Sequence, residues 1–304
     1  MGAPVPLRRA VLFCVLFSLA ALTPSAQDRA ADALPATRTI DVDGLAVRVR
    51  TGGPDSRRAG QPAIVFASGA TAALETWDAI FAAVARLAPT IAYDRSGTGQ
   101  TPWDRLPPTP GRIAERLHRL LARAGVAPPY ILIGHSWGGA LIRYYAARYP
   151  GEPAGLLHID PTDPALTHAA MIELFTSFGA TAEDYAAFRK VMDAGLANAS
   201  EAVLAEAAVV NSLLEGTAEP LPRPPAVPSS VILAGRLPRF PPKPPLPFNT
   251  TAYATAMQAR RVKLLPAWVA GAGRFIVAEN AGHSVHVDAP QLVVAEIERL
   301  LGVK

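Results

Sequence analysis

Cysteine is almost absent from the sequence, since Cys14 is the only one among 304 residues. It lies in an apolar run, residues 10–22, which follows Arg8 and Arg9 and precedes several small residues. This order is typical of a secretory signal peptide, whereas a membrane span needs about 20 apolar residues. We therefore expect residues 1–26 to be a signal peptide. The mature chain would then contain no cysteine, which excludes disulfides, a catalytic thiolate and a cysteine-ligated metal.

Charge is also scarce. Charged residues make up 18% of the chain, and 29 basic against 25 acidic residues leave a formal net charge of +4 without a long run of either sign. So small and dispersed an excess does not favour binding to nucleic acid or to an anionic surface. We therefore expect no nucleic-acid partner. From the predicted signal peptide, we expect a secreted or periplasmic protein with no stable membrane span in the mature chain.

Hydrophobic residues make up half of the chain, and from Thr37 onward strand-like apolar runs alternate with helical patterns. Residues 63–67 and 130–133 are continuous apolar runs, as expected of strands buried on both faces. Asp43-Gly44 lies between two shorter runs and signals a hairpin. The alternation predicts an α/β fold with a mostly parallel sheet that is covered by helices on both faces.

One stretch, residues 161–228, interrupts this alternation because it contains helical patterns but no strand signal. We interpret it as a helical cap inserted into the core. The cap divides the core into a first part, residues 37–160, and a second part, residues 229–304.

A strand-to-helix junction carries the motif Gly-x-Ser-x-Gly, read here as Gly134-His135-Ser136-Trp137-Gly138. In this context the motif is a nucleophile elbow, in which a strained turn lifts a serine hydroxyl clear of the sheet. Side chains at the two glycine positions would clash with the neighbouring strand and helix. The motif predicts Ser136 as a nucleophile.

Three further motifs occur in a family order around the elbow: Ser68-Gly69, Asp94-Arg95-Ser96-Gly97-Thr98-Gly99 and Ala281-Gly282-His283. With them, residues 37–302 resemble the alpha/beta hydrolase superfamily, in particular its single-chain members with a helical cap. The resemblance implies an eight-stranded sheet and a Ser-acid-His triad. We expect no cofactor. It does not specify the substrate, because this fold supports many chemistries.

His283 is the predicted general base, because it follows the last strand, where a loop can return over the serine. The other histidines lie in helices, in a strand or within the elbow. His286 forms His-x-x-His with His283, but no acidic or cysteine partner stands at metal spacing. We expect His286 to contribute to packing or to line the substrate pocket, and we expect no metal.

The position of the triad acid is unusual. Many relatives place it after the strand that follows the cap, here residues 230–234, but no Asp or Glu occurs between Glu219 and Glu279. Some relatives place it after the strand that precedes the cap, which ends at Asp160. We therefore predict Asp160 as the acid, with Asp163 as the alternative on the exposed side of the same turn.

The oxyanion hole requires two backbone N–H donors. Trp137, the residue after the nucleophile, is one predicted donor. Ala70, in the loop where Ser68-Gly69 replaces the family's His-Gly, is the other. Asp94 is expected to brace its own glycine-rich loop.

The favoured function is hydrolysis of an ester, thioester or small amide of a small acyl substrate through an acyl-enzyme. One alternative is an aminopeptidase resembling the proline iminopeptidases, in which Glu173, Glu183 or Asp184 of the cap would hold a substrate ammonium group. Another alternative is a binding protein that keeps the fold without catalysis.

Overall fold

The computed structural model describes residues 34–54, 57–163, 165–194, 196–217, 219–238 and 248–303. The predicted signal peptide lies outside these residues. The strands are β1 Thr37–Val42, β2 Leu45–Gly52, β3 Ala63–Ala67, β4 Thr90–Tyr93, β5 Tyr130–His135, β6 Pro153–Ile159, β7 Ser229–Ala234 and β8 Phe275–Ala278. The helices are α1 Asp78–Ala85, α2 Pro110–Arg123, α3 Trp137–Arg148, α4 His168–Ser177, α5 Ala182–Ala194, α6 Glu201–Glu215, α7 Thr250–Leu264, α8 Val285–Asp288 and α9 Pro290–Leu301.

The eight strands form one sheet in the order β1-β2-β4-β3-β5-β6-β7-β8. The six strands from β4 to β8 are parallel, whereas β2 runs antiparallel to β4 and β1 antiparallel to β2. The predicted mostly parallel, eight-stranded α/β sheet is confirmed. Because β5 is central, its carboxyl end places the residue that follows it at the middle of the sheet edge.

Alternate residues of the buried strands supply two hydrophobic cores, one on each face of the sheet. In β3, Ile64 and Phe66 belong to the core that contains α1 and α9. Their neighbour Val65 belongs to the core that contains α2 and α3. Burial on both faces explains why the sequence of β3 is a continuous apolar run rather than an alternating one.

The hairpin at the edge of the sheet forms at the predicted position. Asp43 and Gly44 have φ values of 56° and 84°. A two-residue turn with both central φ values positive matches the right-handed twist of the strands that it joins, and Asp-Gly is a sequence that adopts it readily.

A helical layer covers the carboxyl edge of the sheet. Helices α4, α5 and α6 lie between β6 and β7 in sequence. Helix α7 follows β7 but packs with them, because Tyr253 joins an aromatic cluster with Phe175 and Tyr185. Leu213 of α6 packs against Trp137 at the start of α3, and so places this layer over the elbow. In the part of the chain that the structure describes, no helix is both long and apolar enough to cross a membrane.

Candidate active site

Ser136 lies between β5 and α3 in a backbone conformation that side chains rarely adopt. Its φ is 53° and its ψ is −120°. Two hydrogen bonds to neighbouring segments hold this strained residue: its N–H donates to the Ile159 carbonyl at 3.0 Å, and its carbonyl accepts from the Thr162 N–H at 3.0 Å. Strain of this kind costs about 1–3 kcal/mol and persists only where the surrounding structure enforces it. The turn therefore has the geometry of a nucleophile elbow.

The two glycines of the motif are required by space. A Cβ on Gly138 would lie 2.0 Å from the Ala67 carbonyl oxygen of β3. A Cβ on Gly134 would lie 2.3 Å from the Gly138 carbonyl oxygen. Since both close neighbours are backbone atoms, neither contact could be relieved by a side-chain rotation. An added side chain would therefore clash with the neighbouring strand at Gly138 and with the helix at Gly134, as expected.

Asp160 and His283 are brought together by the ends of two strands. Asp160 directly follows β6, and His283 lies in the loop between β8 and α8. The His283 Nδ1 and Asp160 Oδ2 atoms are 2.6 Å apart, with the carboxylate side chain 4% exposed and the imidazole 60% exposed. The histidine thus has one ring nitrogen held by a buried carboxylate, while more than half of its side chain is exposed.

Asp160 has two further partners on its other oxygen. Oδ1 accepts from the Ala234 N–H at 3.0 Å and from Arg261 Nη1 at 2.8 Å. Burial by itself raises the pKa of Asp160, but the hydrogen bond from His283 and the charge of Arg261 outweigh it, so the pKa lies below its ordinary value. The carboxylate is therefore ionised at neutral pH and does not compete for the imidazole proton.

Asp163, the alternative acid, does not lie on an exposed side of the turn, and that expectation was wrong. The residue is only 4% exposed, and it lines the same cavity as Ser136 and His283. One carboxylate oxygen accepts from the Ala165 N–H at 2.9 Å, while the other is buried without a partner among the described residues. Burial raises the pKa of Asp163. Two bonds hold Asp163 in this turn, because its carbonyl accepts from the Leu166 N–H at 3.0 Å and its carboxylate accepts from the Ala165 N–H. In the structure His283 pairs with Asp160.

Two buried histidines support the His283 loop. The His135 ring lies 4.6 Å from the rings of both His283 and His286, and its Nε2 is 2.9 Å from the His283 carbonyl oxygen. His286 packs against Trp77 and has its Nε2 3.0 Å from Thr76 Oγ1. Burial lowers the pKa of His135 to about 4 and that of His286 to about 3. Both rings are therefore neutral at physiological pH, and His286 has a packing role.

The loop after β3 passes close to the nucleophile. A Cβ on Gly69 would lie 3.1 Å from His135 Nδ1 and 3.3 Å from Ser136 Cβ. Within the described part of the chain, neither the Ala70 N–H nor the Trp137 N–H donates to a protein acceptor. Both belong to segments that adjoin Ser136. Two free backbone donors at this place are what an oxyanion hole requires.

Asp94 binds both the segment that follows the β3 loop and its own glycine-rich loop after β4. Its Oδ1 accepts from the Leu74 N–H at 2.7 Å, and its Oδ2 accepts from the Gln100 N–H at 2.9 Å. The expected bracing role is thus present in the structure.

A cavity of about 280 Å³ opens beside these residues, and Ser136, Asp160 and His283 all line it. Its apolar lining comes from the helical layer and the turn before it: Leu166, Met171, Tyr185, Phe188, Leu214 and Met257. Arg189 and Arg261 supply its cationic groups. The cavity can therefore bury an apolar group beside the serine.

Sequence reasoning missed two residues of the site, Arg261 and Glu206. Arg261 lies on α7, a helix that the sequence analysis did not predict. The signal for that helix was Asn249, whose side chain caps it by accepting from the Thr251 and Ala252 N–H groups at 3.0 Å. Glu206 is a buried carboxylate on α6 that contacts the loop after β3. An acidic residue on an otherwise apolar helical face was its only signal.

Comparison with known proteins identifies the family of the chain. A model of the alpha/beta hydrolase family matches residues 64–296. The uncharacterized protein YqjL of Bacillus subtilis is 27% identical over 124 residues, which are 41% of this chain and 47% of that protein. The chain spans less than half the length of the curated relatives that it matches.

Solved structures share the fold over nearly the whole chain. A bacterial membrane phospholipase A aligns with a TM-score of 0.61 and 20% identity, covering 90% of this chain and 88% of that one. The epoxide hydrolase CorEH aligns with a TM-score of 0.60 and 17% identity, covering 88% of this chain and 98% of that one. At such identities the likeness concerns the fold alone. The family model covers most of the sequence, and the chain therefore belongs to the alpha/beta hydrolase family.

Proposed function

We propose that the protein is a serine hydrolase that cleaves carboxylic esters with an apolar acyl group through an acyl-enzyme. The observation that carries this proposal is the 2.6 Å contact between His283 Nδ1 and the buried Asp160 carboxylate, beside a serine on a strained elbow. Ser136 is the nucleophile, His283 the general base and Asp160 the acid that orients it.

In the first step the Ser136 hydroxyl oxygen attacks the ester carbonyl carbon, and His283 Nε2 takes the hydroxyl proton. Asp160 holds the Nδ1–H tautomer and stabilises the imidazolium that forms. The carbonyl π electrons move to the oxygen, which accepts hydrogen bonds from the Ala70 and Trp137 N–H groups. The tetrahedral intermediate then expels the alcohol, which takes its proton from Nε2.

In the second step water attacks the acyl-enzyme and gives a proton to His283. A second tetrahedral intermediate collapses, the free acid leaves, and Ser136 recovers its proton. The apolar lining of the cavity supports an apolar acyl part, because burying each methylene group contributes about 0.8 kcal/mol. Thioesters and small amides would follow the same route with a different leaving group.

The aminopeptidase alternative has less support. Glu173 and Glu183 are exposed to solvent rather than directed into the cleft. Asp184 accepts from the Thr181 N–H at 2.8 Å and serves as part of a helix cap. A substrate ammonium group would therefore lack the carboxylate partners that this activity was expected to use.

The test is a panel of p-nitrophenyl esters with acyl chains of two to twelve carbons, beside aminoacyl p-nitroanilides, with Ser136→Ala as the matched control. We expect ester turnover by the parent protein and a loss in kcat on the order of 10⁶ in the variant. A fluorophosphonate probe should label the parent protein and not Ser136→Ala.

Three outcomes would contradict the proposal. Ester turnover by Ser136→Ala within tenfold of the parent would exclude Ser136 as the nucleophile. Preferred turnover of aminoacyl anilides would favour the aminopeptidase. A folded parent protein that neither reacts with the probe nor turns over any ester would favour a binding protein without catalysis.

We further propose that the protein is exported to the periplasm or the medium through residues 1–26. The basic and apolar pattern of those residues supports this. Mass spectrometry of the chain recovered from a secreting host should find an N-terminus near residue 27. Recovery of the full-length chain in the cytoplasm alone would contradict export.

A further inference from the structure

We infer that Arg95 and Glu206 are positioning residues for the oxyanion hole. Through these two side chains, helix α6 of the helical layer fixes the direction of the Ala70 N–H donor. This inference rests on the proposed function, because it assigns a role to residues around the same site. The observation behind it is the buried ion pair between Arg95 and Glu206, which the attack by Ser136 and His283 does not itself require.

Arg95 is held by the core and directed at two consecutive carbonyl groups. Its side chain is 3% exposed and follows β4. Nη1 donates to the Ser68 carbonyl at 2.8 Å, and Nη2 donates to the Gly69 carbonyl at 2.6 Å. A buried guanidinium with fixed donors therefore orients two successive peptide groups of the loop beside Ser136.

Glu206 completes the arrangement from the opposite element. Its side chain is 4% exposed, and its Oε1 accepts from Arg95 Nε at 2.6 Å. Its Oε2 accepts from Arg95 Nη2 at 3.0 Å and from the Thr71 N–H. Thr71 has a φ of 60°, in the left-handed region that non-glycine residues seldom adopt. The carboxylate thus stabilises a strained turn that ends the loop.

The direction of the Ala70 N–H follows from these contacts. In a trans peptide the C=O and the N–H of one unit point in opposite directions. The Gly69 carbonyl and the Ala70 N–H belong to one unit, so Arg95 holds the N–H pointing away from the guanidinium. The next unit, Ala70–Thr71, is held by Glu206. Arg95 also polarises the Gly69 carbonyl, which strengthens the Ala70 N–H as a donor.

Helix α6 is seated closely enough to transmit this constraint. A Cβ on Gly97, in the loop after β4, would lie 2.3 Å from Ala202 Cβ of the same helix. Glu206 follows Ala202 by four residues and therefore lies on the same helical face. Displacement of α6 would withdraw the carboxylate and leave Arg95 without its counter-charge.

The experiment compares Glu206→Gln with Glu296→Gln in the full mature protein. Glu296 is a suitable control because it is also buried and also binds arginine, at 3.0 Å from Arg299 Nε, but its partners do not line the cavity. Thermal unfolding, kcat and KM are measured with the best p-nitrophenyl ester. We expect Glu206→Gln to lower kcat about 100-fold relative to Glu296→Gln, as the loss of one oxyanion donor does, with KM changed less than about threefold. The two variants should lose similar thermal stability.

A kcat for Glu206→Gln within threefold of that for Glu296→Gln would overturn the inference and leave the proposed function intact, provided the parent protein hydrolyses esters and reacts with the probe. A parent protein that does neither would overturn both. If Glu206→Gln does not fold, the double variant Arg95→Met/Glu206→Leu replaces it, because removing both partners leaves no uncompensated buried charge, whereas removing one of them does. The double variant should fold and show the same loss in kcat, and turnover near that of the parent would overturn the inference.

Discussion

The two sides of Ser136 each contain a buried arginine–carboxylate pair, but the pairs are used differently. On the side of β3 and β4, Arg95 and Glu206 bind each other and the backbone, and both are almost fully buried. On the side of β6 and β7, Arg261 binds one oxygen of Asp160. The second oxygen accepts from the exposed imidazole of His283. One pair is closed and fixes backbone dipoles. The other shares its carboxylate with His283, the proposed general base.

Under the proposed function, the two pairs serve groups with opposite requirements, since oxyanion donors have to be rigid and a general base has to titrate. Oxyanion donors work best when they do not move as charge develops, so a closed ion pair suits that side. A general base has to accept and release a proton in every cycle, so it needs solvent access and an acid that stays ionised. The 60% exposure of His283 above a 4% exposed Asp160 meets both needs.

The largest expected effect comes from breaking the open pair at its carboxylate. Asp160→Asn keeps the shape of the side chain but removes the charge that holds the His283 tautomer. We expect kcat to fall by about 10⁴. Because Asp160 has a lowered pKa in the fold, its charge stabilises the native state above the unfolded pKa, and this contribution is lost as pH falls through the folded pKa. Thermal unfolding should therefore show a Tm deficit for Asp160→Asn at pH 7 that closes below about pH 4.

A kcat for Asp160→Asn within tenfold of the parent would contradict the assignment of Asp160 as the triad acid. If Asp163→Asn were the variant with the large loss, Asp163 would have to replace Asp160 in that role.

A smaller effect is expected from removing the cation and leaving the carboxylate in place. Arg261→Met deletes the 2.8 Å bond to Asp160 and the 2.9 Å bond to the Pro161 carbonyl. We expect kcat/KM to fall about tenfold, because a hydrogen bond to a charged group contributes roughly 1.5 kcal/mol. Arg260→Met is the matched control, since the neighbouring Arg260 is not among the hydrogen-bond partners of Asp160. Equal losses in the two variants would refute a specific role for Arg261.

The smallest kinetic effect is expected at Asp163. There the substitution should raise thermal stability, whereas Asp160→Asn should lower it. Asp163→Asn should lower kcat less than tenfold, since His283 is paired with Asp160. Burial raises the pKa of Asp163, so its protonated form favours folding at low pH, and this contribution is lost as pH rises through the folded pKa. At pH 7 the variant removes a buried charge with one unpaired oxygen. Its Tm should rise by about 2 °C, corresponding to roughly 1 kcal/mol, and the gain should vanish toward pH 4. A lower Tm at pH 7 would disprove this account.

Much of the fold could be predicted from the sequence because its signals are local. The apolar run of β3 and the Asp43-Gly44 turn each depend on neighbouring residues alone, and the structure has both where they were expected. The elbow motif depends on five consecutive residues. The proposed acid could be located by exclusion, because residues 220–278 contain no carboxylate.

The supporting contacts could not be predicted in the same way. Glu206 pairs with a residue 111 positions earlier, and Arg261 with one 101 positions earlier. No periodicity or spacing links such residues before the chain is folded. The burial of Asp163 was missed for the same reason, because it depends on how the turn after β6 packs in the folded chain. Tertiary packing, rather than local propensity, decided these positions.

The backbone strain at Ser136 has an evolutionary consequence. A φ of 53° with a ψ of −120° is accessible to glycine at little steric cost, whereas serine adopts it only under constraint. Replacement of this serine by glycine is therefore expected to give a more stable protein, which under the proposed function would have lost its nucleophile. Selection for stability alone would favour glycine here. Under the proposed function, selection on ester turnover would oppose that change and retain the serine.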